Sequence, residues 1–246
     1  MCASYRSCRS PEGSSGVRDD SAGTCDLEPH RASLGRRIYL ACECGVLFAV
    51  LPVMLYLFRT QLKRALIPLL FLLGITAFIL LRRNPRFPRK NLFRLQEERH
   101  RLKSIFRRLL VGASALFLAV LMLKPDVLLA FPRTYFGLWC LIMIFYPLVS
   151  VYPQELIFRA FFFHRYAPLF ARPFWMIAAS GLAFGLAHLV FGNWVAVVLS
   201  TLGGFLFAGT YHRSRSLVLT SIEHGLWGDF IFTVGLGIYF YSGAIQ

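Results

Sequence analysis

The chain has 246 residues, 57% of them hydrophobic and 16% charged, with a net charge of +15. A soluble domain carries roughly 25% charged residues, so this balance, with several continuous apolar runs of spanning length, excludes an ordinary soluble protein. It also excludes a β-barrel, whose strands alternate in short segments, and leaves an all-α, polytopic transmembrane helix bundle of about 7–8 membrane helices. The positive charge does not signal nucleic acid, because no basic soluble domain accompanies it. It lies in turns between spans, where it sets orientation and meets anionic membrane lipids.

In chain order, residues 1–36 are rich in Ser, Gly, Arg and Asp without apolar periodicity and read as a disordered polar tail rather than a signal peptide. The first span is expected at about 38–58 and the second at about 65–81. The loop 82–108 holds eleven Lys or Arg residues against Glu97 and Glu98, and its part 92–106 reads as a basic amphipathic helix on the membrane surface. The third span is expected at about 109–123 and the fourth at about 134–152. Pro153 then opens a separate helix to about Tyr166, since proline suits a first helical position. Further spans follow at about 174–191, 194–211 and 217–241. Six cysteines show no CxxC spacing, so neither a zinc knuckle nor a redox motif is signalled.

Orientation follows from turn charge. If the spans alternate, the tail, the 82–108 loop, the region of Arg165 and Arg172 and the turn at 212–216 share one side. That side is expected to be cytoplasmic, in a bacterial inner (cell) membrane. The motif after Pro153 then begins at the cytoplasmic end of its helix, and its site opens toward the cytoplasm.

Three polar clusters interrupt the apolar helices of the second half: Gln154, Glu155 and Arg159; Phe184 and His188; and Glu223, His224 and Asp229. Each charge at membrane depth costs roughly 2.5–3.5 kcal/mol. Four unpaired ones would cost on the order of 10 kcal/mol, comparable to the net stability of a whole domain. These groups are therefore expected to converge. Glu155 and Arg159, four apart, lie about 40° apart around a helix and can pair. Gly181 and Gly185 form a Gly-x-x-x-Gly pattern that lets the His188 helix pack closely on a neighbour. Asp229 is turned about 140° from His224. Glu223 is either a site carboxylate or a helix-capping charge near Thr220 and Ser221.

Two chemistries stay open for Glu155, His188 and His224. A His, His, Glu set is the ligand count of many catalytic zinc sites, although the HExxH spacing is missing. Without a metal, Glu155 and His188 activate a water, Arg159 holds the carboxylate and His224 stabilises the oxyanion. Both hydrolyse an acyl bond. A transporter, the third class that buried charges allow, lacks the expected inverted repeats.

The order Glu-x-x-x-Arg, Phe-x-x-x-His, then His in a last helix resembles the CPBP family over about 134–241. These are the type II CAAX prenyl endopeptidases and their bacteriocin-processing and immunity-type relatives. The resemblance makes 134–246 a catalytic helix bundle behind N-terminal membrane helices at 37–133. It implies about eight membrane helices, a cavity open to the cytoplasm, and cleavage of a peptide bond in a membrane-associated protein or peptide. It assigns Glu155, Arg159, His188 and His224 to catalysis; Gln154, Phe184, Glu223 and Asp229 are expected to support the site. Two departures stand out. Where the family has a first glutamate as its base, this chain has Gln154, which cannot act as one. Where the family has Asn or Asp four residues after the last His, it has Gly228. A catalytically inactive membrane scaffold is the alternative these departures raise.

Overall fold

The computed structural model describes residues 33–95 and 100–240, all within one compact unit, 32–246. The tail 1–36 thus falls almost wholly outside the described residues, as do 96–99 of the amphipathic segment and Tyr241. Among the described residues all regular structure is helical. The long helices, in chain order, are α1 Leu34–Leu57, α2 Leu66–Arg83, α3 Leu102–Leu123, α4 Phe136–Arg165, α5 Pro173–Phe191, α6 Trp194–Ser214 and α7 Leu217–Val234. By length and composition, α1 to α6 can cross a membrane, six helices where about seven to eight were expected. In α7 the residues Glu223, His224 and Asp229 lower the apolarity of an otherwise similar helix.

The helix starts and stops are written locally. Asn193 Oδ1 accepts the Ala196 N–H (2.8 Å) at the start of α6, and Ser216 Oγ accepts the Leu219 N–H (3.1 Å) at the start of α7. Gly192 (φ +71°) and Gly235 (φ +100°) take the left-handed conformation that ends α5 and α7.

Two expectations fail here. The loop helix is not a separate surface element: 93–95 is not helical, and α3 starts at Leu102, seven residues before the expected span. Pro153 does not open a helix either. It lies inside α4, a continuous helix of 30 residues. The reason is a π-helical turn at Pro147–Val151, two residues upstream of Pro153. The proline ring would meet the carbonyl four residues back, and the wider turn moves that carbonyl aside. α1 repeats the device, with a π turn at Val46–Val50 just before Pro52.

Lipid tails are as apolar as leucine, so packing rather than water exclusion holds such a bundle together. α5 and α6 meet at Gly181, Gly185 and Gly204, as the Gly-x-x-x-Gly pattern predicts. A Cβ at Gly204 would stand 2.7 Å from the Gly181 carbonyl oxygen. The core fills with aromatic rings, among them Phe48, Phe158, Phe162, Phe184 and Phe207. Arg165 clamps Glu43 of α1 through both carboxylate oxygens (2.9 and 2.7 Å), and Tyr166 donates to the same group (3.0 Å). The sequence reading gave Glu43 no role.

Candidate functional site

Glu155 and Arg159 sit on α4, Glu155 just before and Arg159 within a second π turn, Leu156–Phe161, and both are completely buried. Arg159 Nε lies 3.2 Å from Glu155 Oε2, an ion pair not aligned as a hydrogen bond. Arg159 Nη1 donates to Ser180 Oγ (2.8 Å) and to the Phe158 carbonyl (3.3 Å), and the Phe184 ring lies 5.0 Å from the guanidinium carbon. Ser180 Oγ in turn donates to the Phe158 carbonyl (2.8 Å). The buried arginine is thus held by one carboxylate, the Ser180 hydroxyl of α5, a carbonyl of its own helix and an aromatic face.

The other carboxylate oxygen of Glu155 is engaged by α7: His224 Nδ1 lies 2.9 Å from Glu155 Oε1. A carboxylate facing a guanidinium only accepts, so the Nδ1–H donates and Nε2 keeps a lone pair. The imidazole lies flat on Phe207 (centroids 4.6 Å, planes 17° apart) and meets Phe184 edge-on (5.3 Å, 86°). Its Nε2 stands 3.3 Å from the hydroxyl of Tyr146, on α4.

His188, at the last turn of α5, donates from Nδ1 to the Phe184 carbonyl (2.8 Å), which leaves a lone pair on its Nε2. Phe184 therefore touches both imidazoles, packing on His188 at 4.6 Å. His188 and His224 line an apolar cavity of about 990 Å³ together with Tyr146, Gln154, Phe184 and Gly228. A second cavity of about 290 Å³ meets the first at Ser150, Gln154 and His188. Gln154 donates from Nε2 to Ser150 Oγ (2.7 Å), while its buried Oε1 has no hydrogen-bond partner. Glu155 does not line either cavity; it stands behind His224.

The remaining predicted groups lie elsewhere. Glu223 is completely buried and pairs with Arg108 of α3 (2.8 Å). It falls in the second turn of α7, whose cap is Ser216, so it is not a capping charge. Asp229 does not line the cavity, and its Oδ1 is buried without a hydrogen-bond partner. The zinc set does not form either. Both oxygens of Glu155 are committed, to His224 and to Arg159. Among the described residues no group of three or more His, Cys, Asp and Glu side chains could hold a metal ion.

A family model described as type II CAAX prenyl endopeptidase Rce1-like matches residues 135–231. The match supports the resemblance of this segment to the CPBP family. It runs from the start of α4 through most of α7 and includes Glu155, Arg159, His188 and His224. No curated protein and no solved structure matches the chain. Within the Rce1-like segment, sequence reasoning missed Tyr146 and Ser180. Ser180 directly precedes the Gly-x-x-x-Gly pattern on α5, which marks it as facing a neighbour. Tyr146 is signalled only by the space that Gly228 leaves.

The cavity is lined by Leu66 and Ile67 at the start of α2, by His188 and Phe191 at the end of α5, and by the C-terminal half of α7. The expected position of the motif at a helix start rested on Pro153 opening a helix, and α4 is continuous there.

Proposed function

We propose that this protein is an intramembrane endopeptidase that hydrolyses a peptide bond of a membrane-associated protein or peptide. One observation carries the reading: a buried carboxylate, Glu155, holds Nδ1 of His224, whose other nitrogen faces a cavity shared with His188. A carboxylate–imidazole pair fixes tautomer and ring orientation and stabilises the imidazolium that forms when Nε2 takes a proton. The attacking water takes the place of the Tyr146 hydroxyl at His224 Nε2, which removes a proton from it. The Nε2 lone pair of His188 accepts that water's second hydrogen and orients it. His224 then returns its proton to the departing amine, and peptide C–N cleavage balances. Arg159 keeps Glu155 ionised and in place. Gln154 orients through its carbonyl oxygen. No step needs a metal.

The cavity is of a size that takes an apolar peptide segment or an alkyl chain. Such a substrate reaches it from the lipid or from the membrane face opposite the basic turns. Under the positive-inside rule the basic end is cytoplasmic, so the cavity lies in the outer half.

The test is cleavage of internally quenched peptides, farnesylated and ending in a CAAX sequence or unmodified, by full-length protein in proteoliposomes. Wild type should cleave, and His224→Ala and His188→Ala should each lose at least about 100-fold at equal incorporation. Equal rates in all three would overturn the reading. A second reading, an inactive membrane scaffold or binding protein, is favoured by Gln154. Its amide faces the cavity where the family has a glutamate.

A further inference from the structure

The grip on His224 has two sides, and only one of them belongs to the polar motifs. We propose that Tyr146 is a positioning residue for His224, admitted to the site by the missing side chain of Gly228. The inference rests on the proposed role of His224 as the base.

Three observations converge. First, the Tyr146 hydroxyl lies 3.3 Å from His224 Nε2. With Nδ1–H donating to Glu155, the hydroxyl is the donor and Nε2 the acceptor. The imidazole is then held at both nitrogens, while Phe207 covers one ring face and the Phe184 ring meets it edge-on. Second, the tyrosine ring occupies the space of a side chain at position 228. A Cβ there would come within 2.6 Å of Tyr146 Cζ and nearer still to Cε1. Any residue but glycine would push the ring away from His224. Phe232, one turn further along α7, packs against the ring from the other side (5.3 Å, 71°).

The third observation is the backbone. Tyr146 and Glu155 are nine residues apart on α4, and in a regular α-helix they would point about 180° apart. The π turn Pro147–Val151 lies between them. A π turn takes up one extra residue, which reduces the separation to about 80°. The same turn that accommodates Pro153 therefore brings the hydroxyl and the carboxylate to opposite edges of one imidazole.

The experiment is nitrogen-15 spectroscopy of the full-length protein in micelles, with labelled histidine and the His224 signals assigned from His224→Gln. In Tyr146→Phe the Nε2 signal should move downfield, toward an unbonded lone-pair nitrogen, while Nδ1 stays. In Glu155→Gln the Nδ1 signal should move. In Tyr146→Ala with Gly228→Asn, the amide should refill the vacated space and return Nε2 toward its wild-type position. An Nε2 signal unmoved in Tyr146→Phe overturns the proposal. The spectrum can be read in a protein that cleaves nothing, so failure of the protease reading and failure of this inference are told apart.

Discussion

Glu155 on α4 accepts a hydrogen bond from Nδ1 of His224 on α7 at 2.9 Å, across 69 positions of sequence. The carboxylate thereby joins two helices, and His224 stands at the cavity wall. Its remaining oxygen faces Arg159. Orientation of the imidazole and burial of the arginine thus depend on one side chain.

Separating those two duties gives the first prediction. Glu155→Gln leaves Arg159 buried without a counter-charge, which should cost about 3–5 kcal/mol of stability. Adding Arg159→Met removes the orphaned charge and should recover most of that loss. Peptide cleavage should stay at least about 100-fold down in both, because the imidazolium loses its anionic partner. Thermal unfolding in detergent, followed by tryptophan fluorescence, reads the first effect and the peptide assay the second.

Ser180 supports the same charge through two hydrogen bonds of 2.8 Å, one accepted from Arg159 and one donated to the Phe158 carbonyl. Ser180→Ala should destabilise the protein by about 1–3 kcal/mol, the cost of unsatisfied buried groups. Ser180→Thr, which keeps the hydroxyl, should lose less. The midpoint of thermal unfolding separates the two.

Gly204 tests the packing that brings α5, and with it His188, into place. Gly204→Ala drives a methyl into the Gly181 backbone and should cost about 1–3 kcal/mol by overpacking. Gly137, which has open space around its Cβ direction, should accept alanine without loss. Parallel unfolding curves of the two variants are the check.

Much of this was legible in the sequence. Apolar runs announced α1 to α6, because a span must satisfy its own backbone and so declares itself by length. Gly181 and Gly185 announced a close approach between helices. The Glu155–Arg159 pair followed from their spacing. What composition and spacing could not show was the π turn at Pro147–Val151. Proline punctuates a sequence as a stop, and only the coordinates reveal a helix that widens to pass it. The consequences were large: Pro153 became interior, and Tyr146 turned toward His224. Glu223 shows a second limit: a buried carboxylate looks the same in sequence whether its partner is a substrate or, as here, Arg108.

The placement of the cavity is open to a labelling test. In a cysteine-free background, a cysteine at Asn193, in the turn between α5 and α6, should react with a membrane-impermeant maleimide in intact cells. A cysteine at Lys90 should react only after lysis. Reversed labelling would put the cavity in the cytoplasmic half.

The account's central claim is that His224, held by Glu155, does the work of a base while Gln154 does not. The cleavage rate of Gln154→Glu relative to wild type, in the same proteoliposomes and on the same quenched peptides, measures this most directly. The account predicts turnover by the wild type, with Gln154→Glu within about tenfold of it. An inert wild type that gains activity only as Gln154→Glu would contradict it and establish the scaffold reading.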